Sequence, residues 1–210
     1  IPYLDELSDA ARECGSVNVV SLRDGKRRGH TTDGLGCLRA FEASGRKAKD
    51  QKAVIFGAGG ASKSIAQALK TAGAKVTLLS RDSGKASSIA RSLGGVGYGE
   101  SKNLKAFMPD CTLFINGSPL GMKGSPDFED FSFLDLLPKC ATVFDAVYNP
   151  RETTLLMQAR SRSLNTADGL KMLLEQMGVL FETLTGVSPD GTVTELAQKK
   201  VSAALEGKQE

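Results

Sequence analysis

The chain has 210 residues, 27 basic and 24 acidic side chains, a net charge of +3, and 40% hydrophobic residues beside 23 glycines. This length supplies one large or two small domains and can bury roughly 70% of the unfolded surface, so a core forms without staples. The composition excludes disorder, collagen and coiled coil, and so small a charge, with no run of five or more like charges, gives no footing for nucleic acid or an anionic membrane.

No apolar run approaches the 18 or so residues of a membrane span, and no secretory signal precedes the first polar stretch. Cys14, Cys37, Cys111 and Cys140 match neither a zinc pattern nor a disulfide framework. A cytoplasmic protein with reduced, packed thiols is expected. The chain starts Ile1-Pro2-Tyr3 rather than with Met and reads like one whose beginning has been cut away.

In chain order, Leu4, Leu7, Ala10, Ala11 and Cys14 predict a helix stopped by Gly15. Ser16–Leu22 is a strand that Asp24-Gly25 turns into a hairpin, with a return through Arg27–Thr31. Thr32-Asp33 offers an N-cap to a helix bearing Leu35, Leu38 and Phe41, ended by Ser44-Gly45. Residues 46–52 are a polar linker and mark a domain boundary. Beyond them strands at Ala53–Phe56, Lys75–Leu79, Cys111–Ile115 and Ala141–Phe144 alternate with helices at Ile65–Ala72, Ala86–Leu93, Leu134–Leu137, Thr153–Ser161 and Leu170–Leu184, before a terminal helix Val193–Leu205. That order predicts the α/β class, with right-handed βαβ units in a Rossmann-type doubly wound parallel sheet.

The first of these strands runs into Gly57-Ala58-Gly59-Gly60-Ala61-Ser62. In a dinucleotide-binding turn one glycine makes the bend, the next lets backbone approach a pyrophosphate, and the helix behind supplies amide donors; Gly57 and Gly59 fill those places, while Ser62 replaces the third glycine. The next strand ends Leu79-Ser80-Arg81, with Lys85 close behind, where an NAD site usually carries a carboxylate. Cations there pair with a 2′-phosphate, which favours NADP. Asp82 weakens that case unless it caps the following helix.

Six short strings in order resemble the shikimate dehydrogenase family: Ser16-Val17-Asn18, Thr32-Asp33-Gly34, the glycine turn, Asn116-Gly117-Ser118-Pro119-Leu120-Gly121-Met122, Phe144-Asp145-Ala146-Val147-Tyr148-Asn149-Pro150, and Asp168-Gly169-Leu170 with Met172-Leu173 and Gln176. The resemblance implies reduction of 3-dehydroshikimate to shikimate with NADPH, in the shikimate pathway of aromatic amino acid biosynthesis. It makes Asp33 the acid of a lysine–aspartate pair and Asn18 a ligand of the substrate's other hydroxyls. It turns Tyr148 and Gln176 toward substrate or nicotinamide, and Met122 and Gly169 toward the cofactor.

By composition alone, Asp33 is equally a helix cap, Asn18 a strand bulge, Tyr148 a core ring and Gln176 a solvated side chain. His30 is read as a strand-end residue and not a base. The family's lysine and two carboxylate-binding serines lie upstream of Ile1, so the resemblance implies an incomplete, poorly active chain. It divides into a substrate-domain remnant at 1–48, exposed and poorly ordered, an NADP-binding domain at 50–185, and a terminal helix at 190–207 packing back on the remnant. Thr31 stands where the family has asparagine and Lys171 where a glycine is common, and the latter threatens to crowd the nicotinamide. A quinate/shikimate relative and a non-catalytic sensor of these ligands are the alternatives.

Overall fold

A computed structural model describes residues 1–205. Its first sheet consists of β1 (Glu6–Leu7), β2 (Val19–Arg23) and β3 (Lys26–His30), in the order β1-β3-β2, with β1 parallel and β2 antiparallel to β3. The hairpin turns at Asp24 and Gly25, both at positive φ (51° and 74°), as its tight turn requires.

The helix expected over Leu4–Cys14 divides into strand β1 and a shorter α1 (Asp9–Cys14). Ser8 caps α1, its Oγ accepting from Ala11 N at 3.3 Å. Asp5 accepts from the backbone N of Arg27 at 2.8 Å and pairs with its guanidinium at 3.1 Å, fastening the segment beside β3. Leu4 and Leu7 fill the space above Gly29, so an apolar spacing compatible with a helix serves a strand once a partner is present.

The second sheet holds β4 (Lys52–Phe56), β5 (Lys75–Ser80), β6 (Gly97–Glu100), β7 (Leu113–Asn116), β8 (Thr142–Asp145) and β9 (Asn165–Ala167), all parallel, in the order β6-β5-β4-β7-β8-β9. It is the expected doubly wound sheet. Two edge strands went unpredicted: β6 is Gly-Tyr-Gly-Glu, with little strand propensity of its own, and β9 has only three residues.

The helices are α2 (Asp33–Glu42), α3 (Gly60–Thr71), α4 (Ser83–Leu93), α5 (Thr154–Ser161), α6 (Gly169–Thr185) and α7 (Gly191–Leu205), with 3₁₀ turns at Ser101–Phe107 and Ser132–Leu136. Ile55, Ile65, Leu69, Leu78, Ile115 and Phe144 pack on one face of the sheet, and Val54, Leu79, Phe114, Phe133, Val143 and Leu156 on the other. Both faces are covered, as a parallel sheet demands.

Residues 1–48, expected to be poorly ordered, are instead anchored by α2. Its buried Cys37, Ala40 and Phe41 join the core of the second sheet, and it packs against both α3 and α6. The principal neighbour of α7 is α6 rather than the first 48 residues, and Val193 and Leu196 remain about half exposed. Residues 206 and 207 of the expected terminal segment lie outside the described residues. Among those described, no helix is long and apolar enough to cross a membrane.

Candidate active site

The strand order reverses between β4 and β7, since β5 and β6 build outward on one side and β8 and β9 on the other. A crevice at such a switch point, beyond the carboxyl ends of the strands, is where open α/β sheets bind ligands. Gly57 leaves β4 at φ 122°, and a Cβ there would stand 2.9 Å from the Gly117 carbonyl group that follows β7. Only glycine takes both the angle and the approach. Ser62, in place of the third glycine, is buried and donates its Oγ to Gly117 O at 3.1 Å, tying α3 across the switch point by a hydrogen bond.

Gly59 caps α3 with extended backbone and no side chain. A Cβ there would meet nothing within 4 Å. The first-turn amides of α3, at Gly60, Ala61 and Ser62, are therefore an uncapped donor set at a positive helix end, behind a buried Ala58. That donor set fits a pyrophosphate.

At the end of β5 the side chains of Arg81 and Lys85 are exposed. Asp82 is the N-cap of α4, its Oδ1 accepting from Lys85 N at 2.9 Å, while Ser80 Oγ accepts from Asp82 N at 3.2 Å. The carboxylate that weakened the NADP reading is thus engaged with a helix end, and among the described residues Arg81 makes no ion pair. It lines a cleft of about 790 Å³ with Phe56, Lys102, Pro119, Leu120 and Phe128.

Asp33 is not a cap. Thr32 is the N-cap residue of α2 without a side-chain bond, and the half-buried Asp33 accepts instead from Asn18 Nδ2 at 2.7 Å. Asn18 lies one residue before β2, so its side chain is free of the strand's alternation. It donates also to Thr32 Oγ1 at 3.1 Å and accepts from Thr32 N at 3.0 Å. Burial pushes the Asp33 carboxyl above its ordinary range, with the Asn18 bond pulling the other way. A carboxyl so placed can hold a proton nearer neutrality than a surface aspartate does.

The buried Ser64, four residues into α3, joins this pair to the glycine turn. Its Oγ accepts from Gly34 N at 2.8 Å and from Thr31 Oγ1 at 2.8 Å. Helix α3 therefore presents the open amides at its tip and fixes the segment bearing Asp33 one turn later. Sequence reasoning missed Ser64, because a serine inside an apolar helical stripe reads as noise until its partner from α2 is present.

Tyr148, Met122 and Ala61 share the lining of a second cavity, of about 320 Å³, with Gly117, Ser118 and Val147. Tyr148 is exposed rather than a core ring. Gly169 opens α6 against the carbonyls of Ala146 and Val147, where a side chain would not fit. Gln176 is half-buried on α6 beside Gly36 of α2. Lys171 is exposed and pairs with Glu175 at 2.9 Å along the helix. His30 shares a 2.9 Å hydrogen bond with Ser21, and burial, aided by Arg28 and Arg23, depresses its pKa.

Comparison with known proteins adds four likenesses. The family model "Shikimate / quinate 5-dehydrogenase" matches residues 40–117. The NADP(+) shikimate dehydrogenase of Alkaliphilus oremlandii is 38% identical over 195 residues, 89% of this chain and 68% of that protein. Among solved structures, the quinate dehydrogenase of Corynebacterium glutamicum in complex with NAD superposes with a TM-score of 0.85 at 29% identity, covering 97% of this chain and 73% of that one. The shikimate 5-dehydrogenase of Thermus thermophilus, in complex with NADP(H) and shikimate, does so with 0.79 at 30%, covering 95% and 73%.

Proposed function

Because the chain belongs to the shikimate dehydrogenase family, we propose that it acts in the NADPH-dependent reduction of 3-dehydroshikimate to shikimate. The observation that carries this reading is helix α3, which offers uncapped amides for a pyrophosphate at Gly60, Ala61 and Ser62 and, through Ser64, holds the Asn18–Asp33 pair beside the same crevice. When bound, NADPH supplies the hydride.

The protein's own part is binding and proton handling. Reduction of a ketone builds negative charge on its oxygen, which a nearby donor must neutralise. Asp33, half-buried and held by Asn18, takes part in that proton transfer as the acid of the family's lysine–aspartate pair; Asn18 orients the carboxyl and offers its exposed face to substrate hydroxyls. Arg81, free of carboxylate partners among the described residues, takes the 2′-phosphate with Lys85, supported by Ser80, which fixes the turn. Tyr148, Met122 and Gly169 border the nicotinamide side, and Gln176 reaches the substrate from α6. On this reading residues 1–48 belong to the substrate side and 50–185 to the cofactor side.

A second reading has one observation behind it, the Asp82 carboxylate beside Arg81, and takes NAD with quinate or shikimate. Fluorescence titration separates the two: NADPH is expected to bind at least tenfold more tightly than NADH. Calorimetry should show shikimate binding to the NADP-loaded chain and losing affinity in Asp33→Ala and Asn18→Ala. Failure of both nucleotides to bind overturns the proposal, equal affinities return the NAD reading, and shikimate binding with no reduction of NADP+ by shikimate and no oxidation of NADPH by 3-dehydroshikimate returns the sensing alternative.

A further inference from the structure

Two loops border the second cavity: residues 117–123, which carry Met122, and residues 146–150, which carry Tyr148. Each begins at the carboxyl end of a strand, β7 at Asn116 and β8 at Asp145. These two strand-end residues are fully buried, and together they form a side-chain bridge beneath both loops. Asp145 Oδ1 accepts from Asn116 Nδ2 at 2.9 Å and from Val147 N at 3.1 Å, and its Oδ2 accepts from Thr153 Oγ1 at 2.6 Å. Asn116 spends its remaining capacity on the other loop: Nδ2 donates to Leu120 O at 3.0 Å, and Oδ1 accepts from Ser118 N at 3.1 Å and Ser118 Oγ at 2.7 Å. Above the bridge the loops touch once through backbone, Lys123 N donating to Asn149 O at 2.9 Å.

We propose that Asp145 is a positioning residue for the reaction: its carboxylate, through Asn116, Val147 and Thr153, sets the separation of the Met122 and Tyr148 loops and so shapes the cofactor-side cavity. An apolar residue would fill the same buried site more cheaply, because an ionised carboxylate there must be compensated in full. Three donors from three segments supply that compensation, and each of those segments leads into the cavity wall or into α5. The proposed cofactor site absorbs Met122 and Tyr148 but gives no role to this acid.

Burial, with a smaller contribution from Asp127, pushes the Asp145 carboxyl up to about 6 despite its three donors. Of the other charged groups around it, Glu152 and Arg160 at the ends of α5 pair with each other at 2.7 Å, and Lys123 on the facing loop is exposed. Protonation replaces an acceptor by a donor and loosens the bridge, so the variant Asp145→Asn imitates the acid form at every pH.

Two measurements on the full chain test this. In the first, hydrogen exchange without nucleotide, Asp145→Asn and Thr153→Val are expected to lose protection over 117–123 and 146–150 while β5 and α4 keep theirs, and Thr153→Ser is expected to restore it. In the second, the ratio of NADPH dissociation constants, Asp145→Asn over wild type, is expected to be about tenfold at pH 7.5 and to approach one at pH 5, where the wild type is itself protonated. Taking the ratio cancels the titration of the nucleotide. Unchanged protection in both loops, or a ratio independent of pH, overturns the proposal, and Thr153→Val decides it if Asp145→Asn does not fold. The nucleotide measurement rests on the proposed NADPH site and the exchange measurement does not, so a wild type that binds no NADPH refutes that site while exchange still judges the bridge.

Discussion

Substituting alanine for Gly59 separates what the glycine turn does for folding from what it does for binding. The backbone there is at φ −83° and ψ −176°, open to any residue, and an added Cβ meets nothing within 4 Å. Alanine is a poorer N-cap than glycine by about 1 kcal/mol, and its smaller unfolded-state entropy returns about 0.4–1 kcal/mol. Net stability should change by less than about 1 kcal/mol, a melting shift under about 4 °C for a chain of this size. Binding should behave differently. The methyl group stands in the space over the first-turn amides, and losing one hydrogen bond to a charged phosphate costs about 1.5–3 kcal/mol, or about 10–150-fold in affinity.

NADPH fluorescence titration beside a thermal melt reads both quantities on one sample. Wild-type affinity in a folded Gly59→Ala would refute the assignment of the pyrophosphate to this helix end, and a large loss of stability would refute the geometry. Gly57→Ala is the contrast: at φ 122°, with its Cβ 2.9 Å from Gly117, it should lose more than about 2 kcal/mol of stability.

Three further outcomes are expected. Arg81→Ala should weaken NADPH about tenfold or more and leave NADH nearly unchanged, as competitive titration would show; equal losses would mean that the 2′-phosphate lies elsewhere. Gly34→Ala should destabilise the chain by about 3 kcal/mol in denaturant unfolding, because its Cβ falls on the Ser64 backbone carbonyl where α2 meets α3 and neither helix can retreat. An aromatic disulfide reagent should label one thiol per native chain, Cys140, since Cys14, Cys37 and Cys111 are buried and burial raises all three pKa values, that of Cys111 to about 12; rapid labelling of a second would contradict the packing.

The sequence by itself determined those features whose cause is local. The Asp24-Gly25 hairpin, the glycine turn after β4, the cations after β5 and the alternation that makes a parallel sheet each follow from residues within a few positions of one another. It also supplied Asn18 and Asp33, but as two isolated polar residues with ordinary explanations. Tertiary structure decided between those explanations: the hydrogen bond between Asn18 and Asp33 spans the hairpin, and Ser64, which holds the segment in place, comes from a helix in the other sheet's layer. It also made a strand of Glu6–Leu7, gave Gly-Tyr-Gly-Glu a place at the sheet edge, paired Lys171 with Glu175, and brought Asn116 and Asp145 together from adjacent strands. Periodicity and turn chemistry are written in neighbouring residues, whereas the meaning of a buried polar side chain depends on a partner that only the folded chain brings within about 3 Å.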